Sequence, residues 1–126
     1  TLMLALDKRW LAEYGIDADR IEKAYPVGGQ TMTHFTIKKE RGLDVDLPFI
    51  DDMAPSFHAR KEGAPLMLIT GDRNLEMLAR YEENAHLLAI LKHVGHEASL
   101  FELEGFGHVN VLSPACLLIR DDIEKQ

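Results

Sequence analysis

The chain has 126 residues and a single cysteine, Cys116, which excludes an internal disulfide framework and a thiolate metal cluster. It has no apolar stretch approaching the roughly 20 residues that a membrane-spanning helix needs. It also lacks an excess of positive charge. Fourteen Lys and Arg stand against 21 Asp and Glu, a net charge of −7. A surface of that sign repels phosphate backbones and anionic lipid, so neither nucleic acid nor a membrane surface is expected as a partner. Low complexity and internal repeats are absent too. Apolar residues make up 46% and charged residues 28% of the chain, the balance of one globular domain. The N-terminus carries no initiator Met, basic n-region or cleavage motif. Leu2-Met3-Leu4-Ala5-Leu6 runs directly into Asp7-Lys8-Arg9-Trp10-Leu11, with only Thr1 as a makeshift cap. That opening is expected to be a helix already under way inside a larger domain.

What is present reads as alternating elements. The opening helix is expected to reach Tyr14 and stop at Gly15, a good residue for the left-handed position after a helix. Ile21 to Val27 predicts a short strand closed by Gly28-Gly29. Residues 31–64 are weakly patterned, with helical character at Thr33 to Glu40 and at Ile50 to Arg60, the latter broken at Pro55. A long segment of that kind suits a cap or insertion facing a substrate. Pro65-Leu66-Met67-Leu68-Ile69-Thr70 is a continuous apolar run, the pattern of a strand buried on both faces of a parallel sheet.

Gly71-Asp72-Arg73-Asn74 predicts a turn, followed by a helix from about Leu75 to Val94 that ends at Gly95. Met77, Tyr81, Ala85, Leu88 and Leu91 share one face of that helix, and Arg80, Glu83 and Lys92 are assigned to the wet side. Ala98 to Leu103 predicts a further strand, Glu104 to Asn110 a Gly-rich loop, and Pro114 the first turn of a last helix. Strands separated by helices require a parallel sheet with crossover helices, an α/β fold. Three strands make a thin sheet with a bare edge, which points to a missing partner.

Ligands of open α/β sheets sit beyond the carboxyl ends of the strands. Two loops leave strands there: Gly71-Asp72-Arg73-Asn74, which brings carboxylates, and Gly105-Phe106-Gly107-His108, which brings an imidazole. An acid after one strand and a His after the next is the order in which a hydrolytic triad supplies its orienting acid and its base. The competing reading is a loop histidine and a turn or helix-capping aspartate without chemistry.

These residues carry a resemblance. Ala64 to Arg73 resembles the strand and acid loop of the α/β-hydrolase superfamily in its esterase/lipase branch, and Gly105 to His108 resembles that family's catalytic-His loop. Asp51 to His58 is similar to the segment before the acid-bearing strand, Gly15 to Ile21 to the approach to the preceding strand, and Leu2 to Asp7 to the helix that follows the nucleophile elbow. The likeness runs through nearly all 126 residues and rests on order and spacing, since no one motif is specific alone. It implies the C-terminal portion of an α/β-hydrolase fold, a small-molecule ester substrate and no cofactor.

The resemblance also implies parts that the chain does not contain. The family's nucleophile lies in a G-x-S-x-G turn, and its oxyanion hole takes an amide from a Gly-rich loop upstream. Ser56, Ser99 and Ser113 lie in no such turn, so the nucleophile is expected before Thr1. The family's usual acid position, three residues after the glycine, is Asn74, which cannot carry the charge that stabilises an imidazolium. Asp72 and Glu76 are the nearby substitutes. Asp72, closer to the strand end, is the preferred partner of His108, and Glu76, one turn further on, is the alternative.

The remaining histidines offer less. His93-x-x-His96 has a glycine between its members and no third ligand, so no metal is expected there. His34 and His58 fall in the irregular segment. Gly28-Gly29-Gln30 lacks a phosphate-loop pattern and reads as a turn. The resulting expectation is a serine hydrolase of carboxylic esters in which His108 and Asp72 act with an upstream Ser. The alternative is a non-catalytic α/β-hydrolase-like or flavodoxin-like binding module, for which Asn74 speaks.

Overall fold

The computed structural model describes residues 1–126. Its helices are α1 (Leu2–Leu6), α2 (Arg9–Ala12), α3 (Phe35–Glu40), α4 (Arg80–Val94) and α5 (Leu112–Glu124), and its strands are β1 (Leu66–Gly71) and β2 (Ala98–Leu103). Short 3₁₀ turns occupy Ala18–Arg20 and Pro55–His58. β1 and β2 pair in parallel, from Leu66 opposite Ala98 to Gly71 opposite Leu103, with α4 as the connection between them. The α/β class expected from the apolar runs is therefore observed.

The first expected strand, Ile21 to Val27, is present only as a remnant. Ala24 and Val27 form isolated parallel bridges to Leu66 and Ile69. The Ala24 N–H donates to Pro65 O, the Gly28 N–H to Ile69 O, and the carbonyls of Ala24 and Pro26 accept from Met67 and Ile69. Pro26 has no N–H, so one rung of this ladder cannot form and the segment falls short of a continuous strand. The regular sheet is two-stranded.

Alternation along β1 builds two cores. Leu66 and Leu68 pack with Leu2, Ala5, Leu6, Leu87 and Leu91 from α1 and α4. Met67 and Ile69 pack on the opposite face with Ala115, Leu118 and Ile119 of α5. The sheet is thus a middle layer between helices. The Tyr25 hydroxyl donates to Asp122 at 2.7 Å, and Lys23 pairs with the same carboxylate at 2.7 Å, which ties α5 to the remnant strand.

Two helix boundaries differ from expectation. The opening helix is split at Asp7, whose backbone is extended, so α1 and α2 are separate short helices. α4 begins at Arg80 rather than near Leu75, because Leu75 and Glu76 donate to the carbonyl of Asp72 in a tight turn and Ala79 adopts a left-handed φ of 58°. α5 begins at Leu112, with Pro114 inside its first turn as anticipated. The buried face of α4 is also different. Arg80, Glu83, Asn84, Leu87 and Leu91 are buried at helical spacing, so two residues assigned to solvent lie inside. Within residues 31–64 the buried Lys38 organises the chain by donating to the carbonyls of Val45 and Leu47, both at 2.8 Å.

Candidate functional site

The loops after β1 and β2 meet at the carboxyl edge of the sheet. Gly71 makes the approach feasible. A β-carbon on it would fall onto the carbonyl oxygen of Phe106 and lie 3.1 Å from that of Gly107. The Asp72 N–H donates to Phe106 O at 2.7 Å, which fastens one loop to the other.

At this junction Nδ1 of His108 lies 2.9 Å from Oε2 of Glu76. The Glu76 carboxyl group is fully shielded from solvent, while the His108 side chain is 38% exposed. Glu76 also accepts the N–H of Gly71 at 3.0 Å and that of Met77 at 3.1 Å. A carboxylate can only accept, so Nδ1 of His108 donates to it, and in the neutral ring Nε2 then holds the lone pair. That tautomer is the one a general base requires.

Asp72 has a different position. Its carboxylate accepts the Gly105 N–H at 3.0 Å and the Asn74 N–H at 2.9 Å, and it does not contact His108. These two N–H groups, Gly105 foremost, hold its pKa below the ordinary carboxylate value. The geometry thus places His108 beside Glu76, the alternative partner, while Asp72, the preferred one, bridges the two loops. Asn74 is exposed and reaches neither His108 nor Glu76. On the outer side Arg73 grips Glu102 of β2 with two hydrogen bonds of 2.7 and 2.9 Å and draws that carboxyl down to about 2.

Gly28, read from sequence as a plain turn residue, borders the same pair. Its φ is +59°, and a β-carbon on it would meet Cε1 of His108 at 2.9 Å and Nδ1 at 3.0 Å. No sequence motif signals this. Only the close packing of the ring against the backbone identifies it.

His34, His58 and His96 stand apart, while His86 lines the cavity described below. His34 caps α3 by accepting the Thr36 N–H, and His58 Nε2 lies 2.7 Å from the carbonyl of Asp52. Both ring nitrogens of the buried His96 face carbonyls, those of Arg60 and Ala64, each at 2.8 Å. No cluster of three or more His, Cys, Asp or Glu side chains is arranged to hold a metal ion. None of the three serines bonds to His108: Ser56 donates to Thr31 O, Ser99 lies on β2 and Ser113 in α5.

A cavity of about 520 Å³ opens where residues 30–48 face the start of α4, walled by Met32, Phe35, Val45, Leu47, Met77 and Leu78 among others. Met77, the residue after Glu76, lines it, while His108 and Glu76 themselves do not. No helix is long and apolar enough to cross a membrane.

No family model and no curated protein matches the chain. Solved structures do match. The native structure of esterase 2 from the planctomycete Thermogutta terrifontis superposes with a TM-score of 0.58 at 14% identity, over 81% of this chain and 41% of that one. The same enzyme phosphoramylated by tabun gives 0.57 at 14% identity, over 82% and 41%. Its butyrate-bound form gives 0.56 at 14% identity, over 82% and 43%. The chain therefore has the fold of part of an esterase, and it spans about two fifths of the length of these structures.

Proposed function

We propose that residues 1–126 are the histidine-and-acid portion of a serine hydrolase of carboxylic esters, with the nucleophile supplied from outside these residues. The observation that carries this reading is the His108–Glu76 pair at the carboxyl edge of a parallel sheet. In the proposed reaction His108 takes the proton of an incoming serine hydroxyl through Nε2 and returns it to the leaving alcohol. Glu76 fixes the ring in the productive tautomer and stabilises the imidazolium that forms. Water repeats the cycle and releases the acid. No cofactor enters these steps.

The substrate is proposed to be a small ester. The cavity of about 520 Å³, whose lining combines Met32, Phe35, Leu47 and Met77 with Lys38, Glu82 and His86, has the size of a small-molecule site, and residues 31–64 would serve as the cap over it. The esterase whose fold this chain shares in part has been obtained with propionate and with butyrate bound, which supports a short acyl group. Asn74, the argument for a non-catalytic module, loses its force once Glu76 occupies the position beside the imidazole.

The test is hydrolysis of short-chain nitrophenyl esters by the natural gene product that carries residues 1–126. Turnover that His108→Ala abolishes is expected. Residues 1–126 alone should show no turnover that depends on His108. A gene product without esterase activity, or with activity indifferent to His108, would overturn the proposal.

A further inference from the structure

The N-terminal half of α4 presents an unusual buried face. Arg80 is 6% exposed, Glu83 8% and Asn84 0%, and all three point at the segment Gly28–Thr31 rather than at the apolar core. Arg80 Nη1 donates to the carbonyl of Gly28 at 2.6 Å, and Asn84 Nδ2 to that of Gly29 at 2.8 Å. Glu83 accepts the Thr31 N–H at 2.6 Å through Oε1, and its carbonyl accepts the Thr31 hydroxyl at 3.1 Å. The guanidinium Nε lies 3.7 Å from the same Oε1. On its other side Gly28 donates to Ile69 O at 2.7 Å. Both polar groups of the Gly28 backbone are thus held, one by β1 and one by Arg80, and the ring of His108 lies against it.

A buried ion pair is weak evidence for stability, because desolvation offsets much of the attraction. Burial raises the pKa of Glu83, with the Thr31 N–H opposing the shift. What such a cluster secures is geometry, and a guanidinium suits that task with its rigid fork of donors. We infer that Arg80, braced by Glu83 and Asn84, is a positioning residue for His108. It acts through Gly28, whose backbone is the wall that keeps the imidazole on Glu76. The consequence for catalysis rests on the function proposed above. The placement of the ring does not.

The experiment uses the natural gene product that carries residues 1–126, with ¹⁵N-labelled histidine, and reads the His108 tautomer from long-range ¹H–¹⁵N correlations. The wild-type chain should show the Nδ1–H form, and Glu76→Gln supplies the reference spectrum for a ring without its carboxylate. Arg80→Met should shift His108 toward that reference, and Arg80→Lys should restore part of the wild-type signal. Gly28→Ala leaves Arg80 and Glu83 in place and should also displace the ring. It decides the matter if Arg80→Met does not fold. Folded Arg80→Met and Gly28→Ala chains with an unchanged His108 signature would overturn the inference. So would a Gly28→Ala chain that unfolds, since a local displacement of a half-exposed ring is what the inference requires. The readout needs no hydrolysis, so inactivity toward esters would count against the proposed function and not against this assignment.

Discussion

At the scale of single residues the site is decided by where backbone donors lie. Asp72 and Glu76 are four positions apart and chemically alike. Two N–H groups at Gly105 and Asn74 capture the first, and the turn that returns Glu76 to Gly71 delivers the second to the ring. Chain distance favoured Asp72, and turn geometry favours Glu76. The carboxylates also set the response to acid. The folded pKa of Glu102, about 2, lies below its ordinary 4.5. Its contribution is therefore complete above 4.5 and disappears as the pH falls toward 2. The pair is partly exposed, so solvent screening keeps that contribution small at neutral pH. Glu102→Gln should accordingly lower the urea midpoint modestly at pH 7, with the difference from wild type shrinking as the pH drops below 4. An equal difference at pH 3 and pH 7 would show that Arg73 does not select the charged form. Glu83 has the opposite sign. Burial raises its pKa, so its contribution is largest in acid and declines as the pH rises through the folded value.

At the scale of elements, legibility followed hydrophobic pattern. β1 was plain as a continuous apolar run, and β2, α5 and the body of α4 were close to where periodicity puts them. The errors arose where the backbone answers to distant partners. Pro26 removes a rung from the first expected strand, a loss that its apolar neighbours conceal. Arg80 and Glu83 look like solvent-facing charges until the Gly28–Thr31 segment is placed against them. Two substitutions test this level. Leu91 is fully buried between α4 and β1, so Leu91→Ala should cost about 2–5 kcal/mol in urea unfolding. Gly71→Ala should leave the circular-dichroism spectrum near wild type while moving the His108 loop, because the new methyl would occupy the place of the Phe106 carbonyl. Unchanged His108 resonances in that variant would show that the two loops do not depend on close contact at Gly71.

At the scale of the whole molecule, helices on both faces of a parallel sheet bring two loops of different origin to one edge, where His108 and Glu76 meet. The class of fold could be read from the alternation of apolar strands and helices, and the order of acid loop and His loop singled out His108 for the proposed site. The carboxylate that lies beside His108 could not be read, since it depends on a turn closed by the carbonyl of Asp72. The measurement that tests the account most directly is kcat/KM for a short-chain ester in the natural gene product with Glu76→Gln, Asp72→Asn and His108→Ala compared side by side. Glu76→Gln should fall nearly as far as His108→Ala, on the order of 10⁴-fold. Asp72→Asn should stay within about tenfold of wild type, roughly 1.4 kcal/mol. The reverse order would place Asp72 beside the imidazole during catalysis, and losses within tenfold for both carboxylates would contradict a role for the His108–Glu76 pair.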